Sequence, residues 1–231
     1  MTLQKITRST KRPDKPRYDD ACGAAHALEL VGDRWALLIL RELMLGSRRF
    51  SQLRADLPGI SANILTQRLE ELAARGLLLR KRLPPPAAAQ VYELAPWGYD
   101  AEPIVQSLGR WAARSPFHDP TLRISAVSSL LSLRTMHVPG RARGIDAVVG
   151  FRFGEDVYRG HLTADGFDIV RGEPEGADVV FEGRPEALMA AVHGGVPLSK
   201  LKAAGALSVT GDHHLAQRFT KLFPLPQKLS R

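Results

Sequence analysis

The chain of 231 residues contains a single cysteine, Cys22, and its uninterrupted apolar stretches are short. One cysteine excludes an intramolecular disulfide framework and a multi-cysteine zinc site, and leaves an intermolecular disulfide or a reactive thiol open. No stretch approaches the ~18 consecutive apolar residues that a membrane-spanning helix needs. Residues 1–20 are basic and polar and lack the apolar segment of a secretory signal. These absences predict a cytoplasmic protein without a membrane partner.

Sequence motifs of catalysis and of cofactor binding are also missing. There is no G-x-S-x-G nucleophile elbow, no P-loop and no G-x-G-x-x-G. The adjacent His213 and His214 have poor geometry for a single metal ion, and His193 is expected on a helix surface. The sequence therefore predicts a protein that is not an enzyme and that has no cofactor and no metal site.

What the chain does have is apolar residues for a core and an excess of positive charge. Apolar residues make up 44% of the chain, and the formal net charge is +8. The excess of Lys and Arg lies chiefly before residue 118, which favours a polyanion as the partner of the N-terminal half. Residues 1–18 are basic and without periodicity, and are predicted to form a flexible basic arm. That arm is either a solvated tail or a segment that touches DNA.

Helical periodicity begins at about Asp19. Asp33 is the predicted N-cap of the second helix, and Ser61 is the predicted N-cap of the fourth. The core-facing stripe of the second helix is predicted to consist of Trp35, Leu38, Ile39 and Leu43. The four predicted helices cover residues 20–31, 34–45, 48–57 and 61–75.

The periodicity changes after Gly76. Residues 77–83 and 90–94 are typical of two short strands, and the proline-rich segment 84–89 between them is predicted to be a rigid turn. Another helix is predicted over residues 97–114, in which Pro103 either causes a kink or marks the true start. Four helices, a hairpin and a further helix predict a winged helix-turn-helix with one additional helix.

The fourth predicted helix has the features of a DNA-recognition helix. The second helix of a helix-turn-helix enters the major groove. One face carries Leu65, Leu69 and Leu72 and is predicted to be buried. Amide and hydroxyl side chains on the opposite face can pair with base edges, although an ordinary solvated helix face is the alternative. The candidate base-contacting residues are Asn63, Thr66, Gln67 and Glu70.

Basic residues precede and follow this helix and are candidates for contacts with the DNA backbone. In an extended strand Arg80 and Arg82 share one face and Lys81 lies on the other, so the three cannot face DNA equally. Ser61 lies at the helix N-terminus, where a phosphate is favoured. The candidate backbone contacts are Arg48, Arg49, Ser61, Arg80, Lys81 and Arg82.

The C-terminal half shows an α+β pattern after residues 115–120, which are predicted to be a linker. The predicted fold class of the whole chain is α+β. An N-terminal winged helix-turn-helix domain would cover residues 19–115, and an α+β domain would cover residues 120–228. In the second domain, helices are predicted over 124–137, 185–195 and 214–223, and strands over 147–154, 157–163, 166–172, 178–183 and 206–211.

Residues from Cys22 to about Ser115 resemble the HxlR family of bacterial winged-helix transcription regulators. The resemblance rests chiefly on GDRWALLILREL (32–43) and on LPGISANILTQRL (57–69). It implies sequence-specific binding of double-stranded DNA by a homodimer whose interface is formed by the terminal helices of the domain. The residues of this chain that would form the interface are Trp97, Ile104, Leu108 and Trp111.

Two further positions are interpreted through the same resemblance. Cys22 occupies the position of the family's sensing cysteine and is the candidate redox residue, with an unreactive structural cysteine as the alternative. Ala95 stands where the family usually has Thr, so the following helix is expected to lack its usual N-cap.

Residues 120–228 resemble the SCP2 sterol-carrier-like fold. The matching segments are GADVVFEGRPEALMAAVHGG (176–195) and GALSVTGD (205–212), in which Asp212 is the predicted cap of the last helix. The resemblance implies an apolar tunnel and hence an apolar small-molecule effector, with a tightly packed core as the alternative. The leading hypothesis is a dimeric DNA-binding transcription regulator. The second is a lipid or small-molecule carrier that uses its winged-helix domain only for dimerisation.

Overall fold

The computed structural model describes residues 18–86 and 88–230, and the chain divides into two compact units. The first unit ends at Glu102 and the second begins at Pro103, ahead of the predicted linker at 115–120. The domain limits 19–115 and 120–228 therefore stay a prediction. The predicted basic arm lies outside the described residues except for Tyr18. No described helix is long and apolar enough to cross a membrane.

The first unit confirms the predicted order of four helices followed by an antiparallel hairpin. The hairpin register runs from Leu78 opposite Leu94 to Arg82 opposite Gln90. The elements are α1 (Gly23–Val31), α2 (Ala36–Leu43), α3 (Phe50–Asp56), α4 (Ala62–Ala74), β1 (Leu78–Arg82), β2 (Gln90–Leu94) and α5 (Pro96–Tyr99).

Helix α2 begins later than predicted, and Asp33 is not its N-cap. The N-cap position is Trp35, whose backbone is left-handed with φ +80°. The Ala36 N–H donates to the Asp33 carbonyl at 3.0 Å, so the chain makes a tight turn before the helix starts. The left-handed conformation costs a non-glycine residue about 1–2 kcal/mol, which the surrounding packing must offset.

The late start of α2 also changes which of its residues face the core. Ile39, Leu40 and Leu43 are fully buried, whereas Leu38 is 38% exposed. The predicted stripe was therefore wrong at Leu38. The buried positions follow the 3.6-residue period of a helix that starts at Ala36.

Helix α4 begins and ends where its sequence predicts. The Ser61 hydroxyl accepts a hydrogen bond from the Ile64 N–H at 3.2 Å, which satisfies one of the free N–H groups of the first turn. At the other end Gly76 is left-handed with φ +77°, and the Leu77 N–H donates to the Leu72 carbonyl at 3.0 Å. The chain then passes directly into β1.

The helix predicted over residues 97–114 is two helices. Helix α5 ends at Tyr99, and α6 (Glu102–Ala112) carries Pro103 in its first turn. Proline is tolerated in the first turn because its missing N–H would have no intrahelical partner there. Ala95 precedes α5 without a side-chain cap, as predicted.

The second unit confirms all five predicted strands, which form one sheet in the order β5-β4-β3-β6-β7. Among these five described strands, β3 and β6 form the one parallel pair. Two short helices, α8 and α10, were not predicted. The elements after α6 are α7 (Ala126–Met136), α8 (Pro139–Ala142), β3 (Ala147–Phe153), β4 (Asp156–Leu162), β5 (Phe167–Arg171), β6 (Val179–Gly183), α9 (Pro185–Val192), α10 (Leu198–Ala203), β7 (Leu207–Gly211) and α11 (His213–Phe219).

Phenylalanine rings fill the core of the second unit. The ring of Phe219 lies 4.9 Å from that of Phe223 and 5.0 Å from that of Phe181, measured between centroids. Phe151 stacks on Phe181 at 6.0 Å, and Phe167 lies 5.9 Å from Phe223. These rings are buried and in mutual contact. Because their spacing is that of favourable aromatic pairs, this part of the core is closely packed.

Candidate nucleic-acid interface

Helix α4 presents a polar row opposite a buried apolar row. Leu65, Leu69 and Leu72 have no exposed surface and attach the helix to the core of the first unit. The four residues predicted to contact bases all lie on the exposed side: Asn63, Thr66, Gln67 and Glu70. The Gln67 amide donates to the Glu71 carboxylate at 3.0 Å, which leaves its oxygen and one N–H for another partner.

The N-terminus of α4 is also exposed and polar. The Ser61 hydroxyl accepts from the helix backbone and keeps its own hydrogen, which it can donate to a phosphate oxygen. The N–H groups and the dipole of the first turn favour an anion at the same place.

The hairpin β1–β2, here called the wing, carries the basic residues on two faces. Arg80 lies opposite Tyr92, and its guanidinium carbon is 5.7 Å from the centre of that ring. Arg82 shares this face of the strand, as predicted, opposite Gln90. Lys81 points to the other face and pairs with Glu93 at 2.9 Å. The two arginines are therefore better placed for phosphate contacts than Lys81 is.

Arg48 does not belong to this exposed basic surface. It is only 2% exposed, and its guanidinium forms an ion pair with Asp56. Its backbone pairs with Tyr92 in both directions, at 2.9 and 2.8 Å, and so joins the segment before α3 to the wing. Burial removes Arg48 from reach of a phosphate, whereas the neighbouring Arg49 is exposed. The sequence shows two adjacent arginines and does not distinguish their roles.

A charged cluster that the sequence did not reveal holds α4 against the turn before α2. Arg68 on α4 pairs with Asp33 at 2.7 Å and also with Glu71. Arg75 donates to the Leu30 carbonyl at 2.7 Å and so occupies the C-terminal end of α1. A cation at that end is favoured by the helix dipole. These contacts fix the position of α4 relative to α1 in addition to its buried leucines.

Comparison with known proteins agrees with this geometry. Residues 30–118 match the HxlR-like helix-turn-helix family model. YvaP of Bacillus subtilis (strain 168), an uncharacterized HTH-type transcriptional regulator, is 35% identical over 97 residues, which are 42% of this chain and 84% of YvaP. The chain belongs to the HxlR-like helix-turn-helix family. YkvN of the same organism, also an HTH-type transcriptional regulator, is 37% identical over 39% of this chain and 77% of YkvN.

Further similarities extend to a solved structure and to the second unit. The reduced form of the transcriptional regulator YodB from B. subtilis has 32% identity and a TM-score of 0.38, and the match covers 43% of this chain and 96% of that chain. Residues 145–224 match the SCP-2 sterol transfer family. The HxlR-like part and the SCP2-like part therefore occupy successive stretches of the chain.

Helix α6 of this HxlR-like protein has an apolar face that the described residues leave exposed. Ile104, Leu108 and Trp111 lie at i, i+4 and i+7, and Trp111 is 72% exposed. Trp97, the fourth predicted interface residue, is exposed on α5. A contiguous apolar face of this kind marks an interaction site more often than an isolated exposed residue does.

Cys22 occupies the N-cap position of α1 and is exposed. The backbone N–H groups of Ala25 and Ala24 lower the pKa of its thiol by favouring the thiolate. Exposure argues against the alternative of a buried structural cysteine. Cys22 is the single cysteine of the chain, so no second thiol of the same chain lies near it.

The histidines of the second unit differ from one another. His213 and His214 lie in the first turn of α11, where Asp212 accepts from the N–H groups of His214 and Leu215, as predicted for a cap. His193 was predicted to lie on a helix surface, and this prediction was wrong. It is the C-cap of α9 and is half-buried, with its Nε2 3.1 Å from the Ser132 hydroxyl, and this burial lowers the pKa of its imidazole. Among the described residues no group of three side chains could hold a metal ion.

Proposed function

We propose that the protein is a homodimeric, sequence-specific DNA-binding transcription regulator in which α4 contacts bases and the wing contacts the adjacent backbone. The observation that carries the proposal is the exposed row of Asn63, Thr66, Gln67 and Glu70 on a helix whose opposite face is fully buried. Polar side chains of this type match the donors and acceptors of base edges in the major groove.

The surroundings of α4 support the same function. Arg80 and Arg82 extend from the wing and Arg49 lies before α3, so cationic side chains flank the polar row. Contacts of this kind with phosphates set the register on the duplex and carry no sequence information. Lys81, held by Glu93, contributes less to this surface.

The apolar face of α6 supports a homodimer. Two copies that bury Ile104, Leu108 and Trp111 against each other would remove this surface from water, and a two-fold axis would pair the same patch with itself. Two recognition helices would then bind two half-sites about one helical turn, or a multiple of it, apart.

We further propose that the second unit senses a small molecule. Its match to the SCP-2 sterol transfer family supports this role, and the expectation of an apolar effector stays a prediction. The buried phenylalanines mean that an apolar ligand would have to displace side chains from the core. A carrier that uses its winged-helix domain only for dimerisation is less well supported, since dimerisation needs neither the polar row of α4 nor the basic wing.

The test is a gel-shift titration of the full chain on the promoter next to its own gene, compared with a scrambled duplex. Gln67→Ala should weaken the binding free energy for the specific site by about 1–3 kcal/mol and leave the affinity for the scrambled duplex unchanged. Arg80→Ala should weaken both duplexes alike and reduce the slope of log affinity against log salt by about one.

A matched control is Gln227→Ala, which replaces an exposed glutamine of the second unit that lies outside the proposed sites. It should change neither affinity nor salt slope. Equal weakening of both duplexes by Gln67→Ala would contradict base contact by α4, and absence of any preferred duplex would contradict sequence-specific regulation.

A further inference from the structure

A cleft of about 520 Å³ lies in the second unit, apart from the phenylalanine core. It is lined by residues of helices α8, α9, α10 and α11 and of the segments that follow α9 and α11. Cavities that bind small molecules in proteins usually measure about 300–1,000 Å³, so this cleft has the size of a ligand site.

One side of the cleft is apolar. Val192 ends α9 and is buried, and Val196 and Leu198 continue this wall through the loop into α10. An apolar portion of a ligand placed here would lose contact with water, which contributes about 25 cal/mol for each Å² of apolar surface buried.

The other side of the cleft is cationic. Arg141 on α8 donates through Nη1 to the Lys221 carbonyl at 2.8 Å, which fixes its guanidinium beside the segment that carries Lys221. The cleft is lined by both residues, and by no Asp or Glu. Elsewhere in the same unit Arg152 pairs with Glu173 and Arg171 pairs with Asp156.

In the part of the chain that the structure describes, Arg141 and Lys221 have no carboxylate partner. Two cationic residues that line one cleft without a carboxylate favour an anion there, which both can attract. Polar side chains at the same rim, Gln217 and Thr220, can hydrogen-bond to such a group.

We propose that this cleft binds a small organic anion that has an apolar portion. Its acid group lies beside Arg141 and Lys221, and its apolar portion lies against Val192, Val196 and Leu198. The site is distinct from an apolar tunnel through the core, which the phenylalanine rings occupy. As an effector site it rests on the proposed function, whereas ligand binding as such does not.

The experiment is isothermal titration of the full chain with two carboxylates, phenylbutyrate and hexanoate, each beside its alcohol and its amine. The carboxylates should bind saturably, and the alcohols should bind at least about tenfold more weakly because they lack the charge-assisted hydrogen bonds. The amines should not bind. Equal affinity for acid and alcohol, or no saturation with either acid, would overturn the proposal.

Two variants locate the site. Lys221→Gln should lower the affinity for phenylbutyrate by about tenfold, towards that of phenylbutanol. Lys202→Gln, an exposed lysine on α10 that does not line the cleft, is the control and should bind as the unaltered protein does. Equal loss in both variants, or no loss with Lys221→Gln, would show that the anion binds elsewhere.

A parallel gel shift separates this proposal from the proposed function. If the protein bound carboxylates but preferred no duplex, the proposed regulatory function would be contradicted and the proposed ligand site would be supported. If it bound a specific duplex but no carboxylate, the ligand site would be contradicted and the regulatory function would be supported. A carboxylate that binds the cleft as an effector should change the affinity for the specific duplex, and Lys221→Gln should abolish that change.

Discussion

Helices α4 and α6 carry the same kind of apolar pattern, but only α4 buries it. Leu65, Leu69 and Leu72 have no exposed surface, whereas Leu108 is 43% and Trp111 is 72% exposed. The apolar row of α4 is covered by neighbouring elements of its own unit. That of α6 is left about half or more exposed by the described residues. Periodicity thus shows that a helix has an apolar face and does not show what covers that face.

The largest difference is expected for the removal of one leucine from each helix. Leu69→Ala leaves a cavity in the core, so the free energy of unfolding should fall by about 2–5 kcal/mol. Leu108→Ala, measured in protein dilute enough to be monomeric, should change it by less than about 0.5 kcal/mol. Urea unfolding followed by circular dichroism measures both. Similar losses in the two variants would mean that α6 is packed within its own chain.

The next effect concerns self-association through α6. Trp111→Asp places a charge at the centre of the apolar face and should raise the dimer dissociation constant by about thirtyfold or more. Sedimentation equilibrium measures the constant. Val170→Asp adds the same charge at another exposed apolar position, on β5, and should leave the constant unchanged. A dimer that tolerates Trp111→Asp would show that another surface joins the two copies.

A smaller effect should reveal the charges that also hold α4. Asp33→Asn weakens the pair with Arg68, and because both side chains are partly buried the cost should be about 1 kcal/mol. A double-mutant cycle with Arg68→Gln isolates the interaction, and the two losses should not add. Additive losses would mean that the cluster does not position α4 as a unit.

The smallest effect is a shift in the titration of Cys22, the N-cap residue of α1, a helix in which, as in α6, no residue is fully buried. The backbone N–H groups at the N-terminus of α1 lower its pKa, so the thiolate should persist to lower pH than in an unfolded chain. The rate of alkylation by iodoacetamide, followed against pH, should therefore fall at a lower pH in the native protein than in urea. Coinciding profiles would show that the helix end does not stabilise the thiolate.

Local signals in the sequence were sufficient for much of the fold. Ser61 and Asp212 cap helices as their residue types predict, Gly76 ends α4, and the change of period after it marks the wing. Each of these depends on a few neighbouring residues, since caps and turns are satisfied by backbone groups close by in the chain.

The features that the sequence did not predict depend on residues far apart in the chain. Asp33 has the residue type of an N-cap, but its carboxylate binds Arg68, 35 positions away. Arg48 and Arg49 cannot be told apart in the sequence. In the fold, Arg48 is buried beside Asp56 and its backbone pairs with that of Tyr92. His193 is half-buried and lies beside Ser132 of α7, 61 positions away in the chain. Local patterns contain no information about such partners.

The backbone pairing of Arg48 with Tyr92 has a consequence for the strength of DNA binding. It ties the wing to the segment before α3, and Arg80 stacks over the same tyrosine. In the proposed complex, α4 and the wing would therefore meet the duplex as one preformed surface with two contact points. Once α4 had bound, the wing arginines would already be held at high local concentration beside the phosphates, so the second contact would cost little additional entropy. The protein would bind DNA through two linked contacts, each of which makes the other easier to form, as the donor atoms of a chelating ligand do.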